Sequence, residues 1–162
     1  MSDFSLAWAL SRSRFVDTIS DLNEGQLNWK IHPQALTIGE MALHLAGVEL
    51  SFASQLTGMQ LDKGAAKLKA SATEGVVNAN PFPFRADQIT PGFVKEQLEF
   101  TRNTLDPIIT NPSTEILTKQ IVSALGPVIT GEGAFSRLAF HSAYHQGQAY
   151  LIRTAPGFPV GP

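Results

Sequence analysis

The run from Thr37 to Gly58 limits what this chain can become more than any other part of it. It opens with Thr37-Ile-Gly-Glu40, the capping-box spacing in which a threonine hydroxyl and a glutamate carboxylate each satisfy a free backbone N–H at a helix start. Met41, Leu45, Val48 and Phe52 then recur at helical spacing, and Gly58 is placed to end the run. A helix this long with an apolar stripe has to bury it against other elements. The rest of the sequence offers three more helices to do so.

The first of these is expected from Asp3 to Ser20, with Asp3 as its cap and Leu6, Trp8, Leu10, Phe15, Val16 and Ile19 as its apolar bulk. Another begins at Thr90-Pro91, a threonine cap followed by proline at the position where its missing N–H costs nothing. Its stripe reads Val94, Leu98, Thr101, Leu105 and Ile108, and Pro107 is expected to kink or end it. The last starts near Thr130 to Gly133 and runs to Arg153 or Thr154, before Pro156-Gly157. Its core positions read Leu138, His141, His145, Gln148 and Ile152. A second row of small residues, Ala139, Ala143 and Gly147, would let a neighbouring helix come close. Residues 61–89 carry no clear period, and Asn78-Ala-Asn-Pro-Phe-Pro-Phe-Arg85 is not regular helix, because its prolines lie too close together. A loop of this length often shapes a pocket mouth or a partner surface. The expectation is a single all-α domain over residues 1–162.

Three of the four histidines fall on the inward faces of these helices. Four residues along a helix turn roughly 40° and rise about 6 Å, so His141 and His145 leave one face, one above the other. His44 borders the stripe of the Thr37–Gly58 helix. Burying His141, His145 and Gln148 in series costs on the order of 1 to 3 kcal/mol for each polar group left unsatisfied. Two arrangements remove that cost. One is a divalent metal on His44, His141 and His145 with open positions for water or substrate, as in catalytic rather than closed structural sites. The other is hydrogen bonding among the histidines, Glu40, Tyr144 or buried water.

Glu40 shares the four-residue spacing with His44, but its place in the capping box favours a structural role. Glu49 reads as a solvated carboxylate or a partner to a ligand, and His32, beside Pro33, as a surface residue. Ser142 next to a histidine makes no catalytic dyad, since adjacent helical residues point about 100° apart. Gly131-Glu-Gly133 lacks the lysine and spacing of a phosphate loop.

Composition removes several other classes. There is no cysteine, hence no disulfide, thiolate ligand or cysteine nucleophile. This suits a reducing cytoplasm, the expected location. A net charge of -2 and an isoelectric point near 6.0, with scattered Lys and Arg, give no basic face for nucleic acid. No stretch approaches eighteen uninterrupted apolar residues, so no membrane span is expected.

Two segments resemble the DinB-like superfamily, the metalloenzymes of the DinB and YfiT type. One is Thr37-Ile-Gly-Glu-Met-Ala-Leu-His44-Leu-Ala, with Trp29 and Pro33 ahead of it. The other is His141-Ser-Ala-Tyr-His145-Gln-Gly-Gln148-Ala-Tyr-Leu-Ile-Arg153, similar to the family's His-x3-His-x-Gly-Gln followed by an arginine. Gln146 departs from the pattern, since many relatives carry a basic residue there, and residues 61–89 match nothing in it. The resemblance implies an up-down-down-up four-helix bundle, often a homodimer, with a divalent metal on His44, His141 and His145. The exposed apolar potential of Phe82, Phe84 and Phe93 suits such a dimer.

The resemblance further implies transfer of a low-molecular-weight thiol to an electrophile, with Glu40, Tyr144 and Gln148 as candidates for orienting a ligand or touching substrate. Metal-dependent hydrolysis is the alternative chemistry. A non-catalytic metal- or ligand-binding stress protein is the rival class, and a metal-free interaction bundle is a third. Imidazole ligands suit several ions; zinc and nickel come first, then iron.

Overall fold

The computed structural model describes residues 2–160, and the described chain is all-α apart from one two-stranded hairpin. Helix α1 spans Asp3–Ile19 and is capped by Ser2, whose Oγ accepts the Ser5 N–H at 3.2 Å. Asp3, expected as the cap, instead stands in the first turn, where its charge suits the helix dipole. Trp8, Phe15 and Ile19 are buried, whereas Leu6 and Leu10 are exposed. A short helix α2, Glu24–Leu27, follows with its own Asn23/Gln26 capping box.

Helix α3 is Ile38–Thr57. The Thr37 Oγ1 accepts the Glu40 N–H at 3.0 Å, and Glu40 Oε2 accepts the Thr37 N–H at 2.8 Å. Gly58 closes the helix at φ +72°, a left-handed position that glycine reaches without strain. The sequence suggested one apolar stripe, but α3 is buried almost all the way round, Glu49 and His44 included. The reason is its position at the centre of the packing.

Residues 61–89 are more ordered than their sequence suggested. They hold α4 (Lys63–Ala70, capped by Asp62), a series of turns, an irregular stretch through the two prolines, and a 3-10 turn at Ala86–Gln88. Leu68 and Phe84 of this segment are core residues, and Phe82 and Phe93 pack partly buried against them. The apolar surface expected at Phe82, Phe84 and Phe93 is therefore spent inside the chain.

Helix α5 is Pro91–Thr110, and Pro107 lies inside it without ending it. Pro107 and Asn103, whose carbonyl loses its partner to the proline, are both exposed, so water can serve that oxygen. Val94, Leu98, Thr101 and Leu105 are buried as the stripe required, with Ile109 rather than Ile108 continuing it. After α6 (Thr114–Thr118) come β1 (Gln120–Val122) and β2 (Val128–Thr130), antiparallel with Ile121 opposite Ile129. The hairpin feeds directly into α7, Gly131–Arg153, capped by Thr130.

Helix α7 lies along α1 in the same direction: Phe4 meets Phe135 near their starts, and Arg153 donates to the Thr18 carbonyl and pairs with Asp21 at 2.9 Å near their ends. Helix α3 packs against α5, α4 and α7. The carboxylate of Glu49, neither solvated nor near the histidines' side of α3, ties three helices together. Its Oε1 accepts from Trp8 Nε1–H and Arg12 Nε–H, each at 2.9 Å, and its Oε2 from the Thr101 hydroxyl at 2.7 Å. Arg12 also donates to the Leu98 carbonyl, so the buried pair is fully hydrogen-bonded. No helix among the described residues is long and apolar enough to cross a membrane.

Candidate metal centre

His44 sits on α3 one turn beyond Glu40 of the capping box. His141 and His145 sit one turn apart on α7 where it crosses α3, and the three rings meet in one cluster. The Nε2 atom of His141 lies 3.1 Å from Nε2 of His44 and 2.9 Å from Nε2 of His145. The rings meet edge to face, with centroids 4.5 to 5.1 Å apart.

Two of these rings have a fixed orientation. His44 Nδ1 is 2.9 Å from the Ser71 carbonyl oxygen, which can only accept, so Nδ1 carries the proton. His145 Nδ1 is 2.7 Å from Gln148 Oε1, which likewise makes it the donor. In the neutral rings both Nε2 atoms are therefore bare lone pairs turned toward His141. His141 has no such brace, for its Nδ1 makes no hydrogen bond among the described residues, and its ring is only half-buried.

Charge on the cluster is disfavoured. Burial comes first in lowering the pKa of each ring; for His141 the positive charge of its two neighbours adds to it, bringing the value to about 2. For His145 the neighbouring His44 adds while Gln148 opposes, giving about 4. His44 is lowered by burial, with the Ser71 carbonyl opposing. Three neutral imidazoles with converging Nε2 atoms are a donor set for a divalent cation. Without a cation, the one Nε2 free to carry a proton, that of His141, has to be shared between two acceptors. The residues therefore fit a metal ion.

The other residues singled out in the sequence separate clearly. Gln148 is in the cluster through His145. Tyr144 stands at its outer edge, half exposed, with its ring 5.1 Å from that of His145 and stacked on Phe140. Glu40 is spent on the helix start and lies 3.4 Å from Lys30 Nζ. Ser142 points into α7's own backbone, donating to Leu138, and exposed His32 accepts the Gln34 N–H. Ala139 is partly buried against the core, but Ala143 and Gly147 are exposed and no described atom lies within 4 Å of where a Gly147 side chain would start, so among the described residues no helix packs on those two. Ser71 was missed: it acts through a backbone carbonyl, which no residue pattern reveals. A groove of about 670 Å³ between α1 and α5, walled by Trp8, Arg12, Leu98 and Arg102 among others, contains no histidine.

No protein-family profile matches the chain, and no curated protein matches it. A solved structure described as the conserved protein of a locus from Enterococcus faecalis is similar, with a TM-score of 0.67 and 16% identity over 93% of this chain and 92% of that one. A likeness at that identity establishes a shared fold.

Proposed function

We propose that this chain is a divalent-metal-dependent enzyme of the DinB-like kind that joins a low-molecular-weight thiol to an electrophilic small molecule. The observation that carries this reading is the convergence of three imidazole Nε2 atoms, two of the rings having their Nδ1 protons turned outward onto Ser71 and Gln148. In this reading α1, α3, α5 and α7 are the four helices of an up-down-down-up bundle, and His44, His141 and His145 are the ligands, with zinc or nickel the first candidates and iron next.

A cation held by these rings would supply Lewis acidity, lowering the pKa of a thiol that reaches its open positions. The chain's own part is to hold the three rings neutral, to keep their lone pairs converged, and to leave the His141 side open. Among the described residues no carboxylate joins the cluster, and Glu40 and Glu49 are engaged elsewhere. Thiol transfer tolerates this, since an acidified thiol would lose its proton to solvent and the thiolate would form the S–C bond at the electrophilic carbon while that carbon's bond to its leaving group breaks, the group departing with the electron pair. Hydrolysis generally calls for a positioned base as well. The same lack of a base favours, as the second reading, a protein that binds metal or ligand without turnover.

Tyr144 and Phe140 form the apolar lip where the electrophile would rest. The protein is proposed to act in the cytoplasm as a homodimer, through exposed Leu6, Leu10 and Leu151 rather than Phe82, Phe84 and Phe93; light scattering at micromolar concentration checks this. The deciding experiment is elemental analysis of untagged protein, followed by turnover of a chromogenic aromatic electrophile with a panel of small thiols. One equivalent of metal with thiol-dependent turnover that is lost in His44→Ala supports the enzyme. Metal without turnover favours the binding protein, and no metal even after reconstitution rejects both.

A further inference from the structure

The chain after α4 lies unusually close to α3 at one point. A Cβ on Gly47 would stand 2.6 Å from the Leu68 carbonyl oxygen and 2.8 Å from the Ala72 nitrogen, and would also run into Ser71 Oγ. Two of these three atoms are backbone, so no change of rotamer could relieve the clash. Only glycine permits this approach.

The approach has a direct effect on His44. Gly47 is three residues beyond it, hence on the neighbouring strip of the same helix face. Ser71, the residue laid over that strip, is fully buried, and its carbonyl is the acceptor for His44 Nδ1–H at 2.9 Å. The Ser71 hydroxyl lies 2.7 Å from the Leu43 carbonyl and 2.6 Å from that of Leu68, bridging α3 to α4 at the residue just before His44. The segment is thus clamped to α3 on both sides of the histidine.

We infer that Gly47 and Ser71 are positioning residues for His44: the absent side chain at 47 lets the Ser71 carbonyl reach the ring and hold its Nε2 lone pair toward His141 and His145. This rests on the metal-binding reading above. A methyl group at 47 pushes the Ser71 backbone outward by several tenths of an ångström or more, and a 2.9 Å hydrogen bond does not survive much of that. The His44 ring then loses both its fixed orientation and its single tautomer. Loss of the partner that orients a ligating histidine lowers metal affinity about ten- to a hundredfold.

The test titrates the metal-free wild type, Gly47→Ala and Gly39→Ala with Zn²⁺ against a chromogenic chelator, and records imidazole ¹⁵N resonances, which report the nitrogen bearing the proton. Gly39→Ala is the control: its Cβ runs into the Ile89 side chain and meets the Leu27 carbonyl at 3.1 Å, so it strains α3 against neighbours other than the Ser71 segment. The expected result is one equivalent in wild type, about ten- to a hundredfold weaker binding in Gly47→Ala with the Nδ1–H form of His44 lost, and wild-type affinity in Gly39→Ala. Equal affinity in wild type and Gly47→Ala, or equal losses in both glycine variants, overturns the positioning role while leaving the metal site standing. A wild type that takes up no Zn²⁺ overturns the metal reading itself. Should Gly47→Ala not fold, Ser71→Ala removes only the hydroxyl bridge; a several-fold loss of affinity supports the role and unchanged affinity overturns it.

Discussion

Gln148 holds His145: its Oε1 lies 2.7 Å from the Nδ1 of the ring three residues before it on α7. The contact fixes which nitrogen of His145 faces the cluster, from within a single helix. Replacing Gln148 with leucine is expected to lower metal affinity about ten- to a hundredfold, while Gln148→Glu, which keeps an acceptor, should retain most of it. Competition titration with a chelator measures both. A leucine variant with wild-type affinity would remove Gln148 from the site.

His145→Ala should lose stoichiometric metal while keeping its helix content. The ring lies on the inner face of a helix whose burial is carried mainly by Phe135, Leu138, Ala149 and Ile152. Elemental analysis and far-ultraviolet circular dichroism on one preparation decide it. Full occupancy in the variant would sink the three-histidine assignment.

The metal-free protein should lose stability as pH falls through the weakly acidic range. The unfolded chain protonates its histidines near 6.5, whereas burial and mutual repulsion hold His145 to about 4 and His141 to about 2 in the folded chain. The unfolded state therefore gains protons first, and stability present above pH 6.5 is lost as pH drops toward 4, by up to about 1.4 kcal/mol per pH unit for each ring. Urea midpoints at pH 7.5, 5.5 and 4.5 should fall in wild type and fall less in His141→Gln. Parallel curves for the two proteins would contradict this.

Glu49→Leu should destabilise the fold by about 3–5 kcal/mol, because it leaves the Arg12 guanidinium buried without its counter-charge. Adding Arg12→Leu to that variant should restore part of the loss. Denaturant unfolding of the three proteins tests the pairing, and a single variant within about 0.5 kcal/mol of wild type would show the network to be dispensable.

The histidine cluster was legible because helical periodicity alone puts His141 and His145 on one face, and the start signal at Thr37-Ile-Gly-Glu40 fixes where His44 falls along α3. What was not legible depends on partners distant in sequence. Glu49 reads as a solvated carboxylate until Trp8, Arg12 and Thr101 are brought to it from two other helices. Phe82, Phe84 and Phe93 look like free apolar surface until α4 and the 3-10 turn fold them inward. Strands of three residues are too short to show an alternating period, so the β1–β2 hairpin left no trace. Pro107 misled because its cost depends on whether the orphaned carbonyl faces water, and here it does.

The two braced imidazoles differ in how far mutation can reach them. The acceptor for His145 is a side chain, so a single codon change at position 148 can delete it or exchange it for another acceptor. The acceptor for His44 is main chain: every residue type at position 71 would still present a carbonyl, and the interaction has no letter of its own in the sequence. It can be lost only by moving the backbone, and the positions with leverage over that movement are 47, which admits the segment, and 71 itself through the hydroxyl that bridges to Leu43. Drift at one end of the cluster is thus recorded at the contacting residue, and at the other end at residues whose side chains never touch the ring they position.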